Sequence, residues 1–339
     1  MKIAMMVDDG KIEMQNIDDL ACGHDDILIE AKYAGICGSD IHAFRGNHPF
    51  RKPPVILGHE ISGTIAKIGK SVAGFSIGDP VTVMPYTSCG DCITCRVGKS
   101  NVCLKKTVPG TGNWKGTFSE FFISKPQITY KLGKNSRLDI GVLAEPLAVA
   151  IHSIRQGRFK SGESVAVLGA GPIGLLTGLT AKIDDASGIA TTDLYDHNLS
   201  LAAELFGAAT YNAKQERLSE KIVSDHPDKY DIVFLCGNAN IMVQQAFEIV
   251  RPGGRIVVTG LFLKPVELPL IDMTLREIEL IGTQIYDHQD FQKAIDLLEV
   301  PDHKFEKLIS HVLPLSNAQE AMQMVCDPGQ DTVKVLLES

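Results

Sequence analysis

Ser164-Val165-Ala166-Val167-Leu168-Gly169-Ala170-Gly171-Pro172-Ile173-Gly174 reads as a strand, a glycine turn and the opening of a helix. The continuous apolar run at its start suits a strand buried on both faces. Gly169, Gly171 and Gly174 form G-x-G-x-x-G, a weak signal alone but a specific one directly between a strand and a helix beginning near Leu175. The first glycine permits the turn, the second lets backbone approach a pyrophosphate, and the third lets helix and strand pack closely. Free N–H groups of the helix N-terminus, with Pro172 and Ile173 in its first turn, then face the phosphates. The competing reading is a turn that merely needs glycines.

Asp193 ends the next strand-like run, Ile189-Ala190-Thr191-Thr192. A carboxylate there accepts from a ribose 2′-OH and repels a 2′-phosphate, which favours NAD over NADP. No Lys or Arg stands between Asp193 and Leu201 to favour a 2′-phosphate. Further strand-like runs, Asp231 to Leu235 and Arg255 to Thr259, alternate with helix-like Leu199 to Phe206 and Ile241 to Val250. This alternation predicts a doubly wound parallel sheet, an α/β nucleotide-binding domain over 151–289. Residues 1–150 read differently, as short apolar runs broken by Gly, Pro and Asp every few residues, the rhythm of a β-rich domain. A helix from Phe291 to Leu298 and a strand from Thr332 to Leu337 are expected to return to that first domain, so that 290–339 completes it.

The chain has 339 residues, enough for two domains, and a net charge of −8 with no basic run. A nucleic-acid partner is therefore not expected. No apolar window reaches the ~18 residues of a membrane span. The opening MKIAMMVDDGKIEMQ lacks the apolar core of a signal peptide and reads as two strands about a turn, so a cytoplasmic location is expected.

Four of the eight cysteines cluster as Cys89, Cys92, Cys95 and Cys103, in a lobe at 86–106. C-x2-C-x2-C-x7-C can close around one tetrahedral Zn²⁺, leaving no open position, which makes such a site structural. Two disulfides are the alternative, disfavoured in a reducing compartment; a redox-active CxxC pair would leave Cys103 idle. Elsewhere, Cys37-Gly38-Ser39-Asp40-Ile41-His42, Gly58-His59-Glu60 and Ala144-Glu145-Pro146 supply a thiolate, an imidazole and carboxylates. Together they suit a catalytic zinc whose fourth position takes water or substrate.

In order and spacing these motifs, with Glu145-Pro146-Leu147-Ala148-Val149-Ala150, resemble the zinc-dependent medium-chain dehydrogenase/reductase family almost from end to end. The last stretch resembles the polyol (sorbitol) and butanediol dehydrogenase branch. The resemblance implies a GroES-like catalytic domain beside the Rossmann domain, an active site in the cleft between them, and a homodimer or homotetramer. It implies catalytic-zinc ligands at Cys37 and His59, with Glu60 or Glu145 completing the set or holding a water. Cys89, Cys92, Cys95 and Cys103 would hold the structural zinc. Val258, Gly260 and Ile285 would line the nicotinamide pocket. The implied activity is NAD-dependent oxidation of a secondary alcohol or polyol, with Ser39, the cofactor ribose and His42 relaying the proton. The alternatives are an L-threonine 3-dehydrogenase-like, cyclitol or sugar-phosphate activity, and a non-catalytic relative that would lack Cys37, His59 or Ser39. Departures from the family pattern include Pro80, the Lys182-Ile183-Asp184-Asp185 helix end, Asn198 where an arginine often flanks the adenosine, and Tyr286 in place of a substrate-binding arginine.

Overall fold

The computed structural model describes residues 1–327 and 331–339; residues 328–330, inside the expected 290–339 segment, lie outside the described residues. The chain divides into two compact units, Met1–Glu145 with Asp287–Ser339, and Pro146–Tyr286.

The first unit opens on β1 (Lys2–Asp8) and β2 (Lys11–Asn16), an antiparallel pair turning at Asp9-Gly10. β3 (Ile27–Gly35), β4 (Val55–Ile56), β5 (Glu60–Ile68), β6 (Pro80–Val83), β7 (Phe121–Ser124) and β8 (Thr129–Lys131) follow. The short helix Gly38–Phe44 leaves directly from β3 and carries Ser39, Asp40 and His42.

The second unit contains β9 (Ser164–Leu168), β10 (Gly188–Asp193), β11 (Ala209–Asn212), β12 (Tyr230–Leu235), β13 (Val250–Val258) and β14 (Glu279–Gly282). All pair in parallel, in the order β11-β10-β9-β12-β13-β14. Every residue of β9 is buried, as its unbroken apolar run requires. The chain order reverses at β9, and ligands of such sheets bind beyond the carboxyl ends of strands at that point. Gly174 shows why the turn there needs glycine: a Cβ would fall 1.8 Å from the carbonyl oxygen of Gly169. Helix Pro172–Ile183 starts earlier than the reading from Leu175, because Pro is well suited to a first helical position.

The chain then returns to the first unit with β15 (Ile309–Pro314) and β16 (Lys334–Glu338). β16 lies antiparallel to β3, and the larger sheet runs β15-β16-β3-β5-β6-β8 with β7 also on β3. Val335 and Leu337 join Ile3, Met6, Ala34, Phe44 and Phe118 in one buried cluster, so both chain ends share a core. Among the described residues no helix is long and apolar enough to cross a membrane.

Candidate metal and dinucleotide sites

Helix Ile93–Arg96 and the turns around it bring the four clustered cysteines together. Their sulfurs lie 3.5 Å (Cys92–Cys95), 3.8 Å (Cys92–Cys103), 3.5 Å (Cys89–Cys103) and 4.0 Å (Cys89–Cys95) apart. A tetrahedron with metal–sulfur bonds of about 2.3 Å has edges of about 3.8 Å. Disulfide bonding needs sulfurs about 2.05 Å apart, so the paired-disulfide alternative does not describe this lobe. Backbone N–H groups of Cys92, Cys89 and Lys105 donate to the sulfurs of Cys89, Cys103 and Cys103 at 3.4, 3.4 and 3.3 Å. The Thr94 hydroxyl, then the N–H groups of Cys95 and Leu104, pull the Cys92 thiol down to about 5. These donors suit thiolates, and the sulfur set fits a structural zinc.

The second cluster gathers Cys37, His59 and Glu60, whose ligand atoms all lie within 4.8 Å of one another. Cys37 caps helix Gly38–Phe44, while His59 and Glu60 meet it from the start of β5. Glu145, buried in the first turn of helix Ala144–Gln156, is not a member of that group. A thiolate, an imidazole and a carboxylate are among zinc's preferred donors, and here they converge with their ligand atoms close enough to share one ion. The donor set therefore fits a catalytic zinc.

Asp40, which the sequence reading left without a role, ties this cluster together. It is fully buried. Its Oδ2 accepts from the N–H of Cys37 at 3.1 Å and faces Nδ1 of His59 at 3.6 Å. Its Oδ1 accepts from the N–H of Gly58 at 3.1 Å and from Nη1 of Arg51 at 3.3 Å. Burial alone would raise its pKa, but His59, Arg51 and the Cys37 N–H outweigh that and hold it well below the ordinary carboxylate range. Burial disfavours the His59 imidazolium too, yet Asp40 and Cys37 raise its pKa overall. A carboxylate behind a metal-binding histidine fixes the ring's orientation.

Lys334 is a second residue that sequence reasoning missed. Its Nζ is 2.5 Å from Oε1 of Glu60, to which it donates, and equally near Oε2; it also donates to the carbonyl of Ile36 at 3.0 Å. Burial would lower its pKa, but Glu60 first, then Cys37 and Glu145, raise it. The signal was present: one lysine inside the apolar strand Val333-Lys334-Val335-Leu336-Leu337. Gly35 makes room for this pair, since a Cβ there would fall 1.8 Å from Oε2 of Glu60.

Ser39 and His42 are both half-buried on helix Gly38–Phe44. Arg51 is buried and donates to Oγ of Ser39 at 3.2 Å.

In the second unit, Gly171 caps helix Pro172–Ile183 and faces open space, where an added Cβ would meet nothing within 4 Å. The cradle beside the helix N-terminus is thus free for phosphates, with Pro172 and Ile173 at its rim. Asp193 ends β10 beside it. Its Oδ2 accepts from the N–H of Ala170 at 2.7 Å; Oδ1 accepts from the N–H of Tyr195 at 3.0 Å and from Nδ2 of Asn198 at 3.3 Å. Val258 ends β13, and the N–H of Gly260 is held by the Leu235 carbonyl at 2.8 Å. Ile285 has φ of +40° in the loop after β14, and Tyr286 beside it is buried. These residues fit a dinucleotide laid along the carboxyl ends of the strands.

Comparison with known proteins agrees with this arrangement. Residues 23–134 match the alcohol dehydrogenase GroES-like domain, and residues 172–300 match the zinc-binding dehydrogenase family. The D-xylulose reductase of Scheffersomyces stipitis is 32% identical over 334 residues, covering 92% of this chain and 91% of that protein. Among solved structures, a zinc-binding dehydrogenase of Sinorhizobium meliloti bound to NADP superposes with a TM-score of 0.93 at 29% identity, covering 100% and 99% of the two chains. An alcohol dehydrogenase of Escherichia coli complexed with NADH superposes with a TM-score of 0.92 at 28% identity, with the same coverage. With its GroES-like and Rossmann units and its zinc and nicotinamide cofactors, the chain belongs to the zinc-dependent medium-chain dehydrogenase/reductase family, on the polyol-dehydrogenase-like branch, and is an oxidoreductase.

Proposed function

We propose that the protein oxidises a secondary alcohol of a polyol to the ketone with NAD⁺, and runs the reverse reduction. The observation that carries this is the convergence of Cys37, His59 and Glu60 ligand atoms within 4.8 Å, with the Ser39 hydroxyl on the same short helix. The likeness to a D-xylulose reductase points to a five-carbon polyol such as xylitol as the first substrate to try. When bound, zinc supplies a Lewis acid that makes the alcohol more acidic, and the nicotinamide accepts the hydride.

The chain's own residues do the rest. Cys37 and His59 hold the metal, with Glu60 as third ligand, since Glu145 is outside the ligand group. Lys334 clasps Glu60 at 2.5 Å and so sets how far it can turn toward the metal. Oγ of Ser39 accepts the alcohol proton, and the half-buried His42 releases a proton to solvent. Cys89, Cys92, Cys95 and Cys103 hold the structural zinc. Gly169, Gly171 and Gly174, with Pro172 and Ile173, bind the pyrophosphate, and Val258, Gly260 and Ile285 border the nicotinamide. Asp193 binds the ribose hydroxyls and disfavours the 2′-phosphate of NADP.

A homo-oligomer is part of this reading. β14 is an edge of the parallel sheet, and exposed Leu270, Ile271 and Leu275 (61, 68 and 75% accessible) cluster just before it. A second copy is the partner proposed for that surface. A cytoplasmic location suits eight free cysteines and a four-thiolate lobe.

Steady-state assays with xylitol, sorbitol, 2,3-butanediol, inositols, L-threonine and sugar phosphates test the activity, beside zinc analysis of the same sample. The expected result is NAD-linked oxidation of a polyol and two zincs per chain. No turnover of any alcohol, or at most one zinc, would defeat the reading.

A further inference from the structure

Arg51 carries a full charge into the first unit and is only 5% exposed. Its Nη1 reaches two acceptors, Oγ of Ser39 at 3.2 Å and Oδ1 of Asp40 at 3.3 Å. Oδ1 of Asp40 is also held by the N–H of Gly58, and its Oδ2 by the N–H of Cys37. Asp40 is therefore an anchored anion, and it fixes the guanidinium where Nη1 can touch Ser39. The backbone of Arg51 is fixed as well, because its N–H donates to Nδ1 of His48 at 3.1 Å. A charge this deep is costly unless it is paired, and Asp40 supplies the pair.

The consequence follows from the valence of a hydroxyl. A serine oxygen has two lone pairs and one proton. A freely turning hydroxyl can offer its proton to the alcohol as readily as a lone pair, and then it blocks the relay. Nη1 of Arg51 is a donor only, so it occupies one lone pair and cannot accept the serine proton. The second lone pair remains for the incoming alcohol proton, and the serine's own proton must point onward to the next acceptor. One proton arrives at Oγ and one leaves it, so the hydroxyl ends each passage unchanged.

We infer that Arg51 is a positioning residue for proton transfer, setting the direction of the Ser39 hydroxyl from a guanidinium anchored on Asp40. The inference rests on the relay role given to Ser39 under the proposed function. It goes beyond that role, because nothing in the family motifs includes Arg51.

A double-mutant cycle tests it. Arg51→Lys keeps a buried positive charge near Asp40 but puts a compact ammonium on a shorter, flexible stem in place of the rigidly held Nη1 that touches both Ser39 and Asp40. Arg51→Lys, Ser39→Ala and the double variant are purified as holoenzyme. Each is assayed for kcat and KM on the best polyol, for zinc per chain, and for NADH binding by fluorescence titration. Arg51→Lys is expected to lower kcat about 10-fold, as small misplacements of reacting groups do. Zinc content, NADH affinity and polyol KM should stay within about twofold. In the Ser39→Ala background the same change should cost nothing further, because the hydroxyl it aims is gone. Arg51→Gln, neutral but still a donor, serves if the lysine variant fails to fold, with the same pattern expected.

Equal losses of kcat in both backgrounds, or no loss in either, overturn the inference while leaving the relay intact. Loss of zinc with kcat would mean that Arg51 serves the metal site through Asp40, which also overturns it. A silent Ser39→Ala removes the relay itself and the inference with it.

Discussion

Asp193 shows how much a single carboxylate is asked to do. Three donors already meet it, the N–H groups of Ala170 and Tyr195 and the amide of Asn198. A carboxylate has about four acceptor sites, so room remains for a ribose hydroxyl on a group that is already fixed in place. Asn198, a departure where an arginine often stands, thus supports the anion without offering a 2′-phosphate a counter-charge. Asp193→Ala is expected to weaken NADH binding about 10-fold, the worth of one or two charge-assisted hydrogen bonds, and to narrow the preference over NADPH. Fluorescence titration with both cofactors measures this; an unchanged ratio would remove Asp193 from the ribose site. The residues that sequence reading identified here are those with a local signature. Cys37, His59 and the four clustered cysteines announce themselves by type and spacing. Asp40 and Arg51 do not, because they lie 11 residues apart, Gly58 lies 18 residues from Asp40, and only folding shows that both are buried. Lys334 is more distant still, 274 residues from Glu60.

At the scale of elements, β9 and β12 are joined at their starts by one side chain. Asp231 accepts from the N–H and Oγ of Ser164, both at 2.8 Å, and from Nε of Arg251 at 2.7 Å. Burial pushes its pKa up, but Ser164 and Arg251 outweigh that and leave it below the ordinary 3.8. The sign follows from linkage: a lowered folded pKa stabilises fully above the unfolded value and is lost as pH falls through the folded one. Asp231→Asn should cost about 1 kcal/mol at pH 7, a figure kept small because the group is part-exposed. The difference in Tm should shrink below pH 3.8 and vanish once both states are protonated. A constant difference from pH 7 to pH 2 would show that the charge contributes nothing. The elements themselves were largely legible. β9, β10, β12 and β13 follow from apolar runs, and the β1–β2 turn follows from Asp8-Asp9-Gly10. β14 and helix Leu270–Leu275 escaped the reading. β14 is an edge strand of four residues without a fully buried position, so it carries no strong burial pattern.

At the scale of the whole molecule, the surface before β14 is the feature most out of keeping with a lone chain. Leu261, Leu263, Leu268, Leu270, Ile271 and Leu275 are all exposed large apolar side chains within fifteen residues. Monomeric proteins seldom leave such a run uncovered. Ile271→Asp with Leu275→Asp should convert the proposed homo-oligomer to monomers, as read by light scattering during size-exclusion chromatography. A monomeric wild type, or an oligomer indifferent to both aspartates, would end that assignment. The long-range pairing of β16 with β3 belongs to this scale too, for it makes the first unit depend on both ends of the chain.

The sequence by itself determined the two fold classes, the thiol lobe, the glycine cradle and the thiolate–imidazole pair. Each rests on short-range chemistry: a strand's apolar period, a turn's need for glycine, a metal's demand for particular atoms at set spacings. Only the tertiary structure brought the ligand atoms of Glu60 within 4.8 Å of those of Cys37 and His59. It alone placed Lys334 on Glu60, and Arg51 on Asp40 and Ser39. Those choices depend on which buried charges meet after strands far apart in the chain have paired, and spacing along the chain carries no record of that.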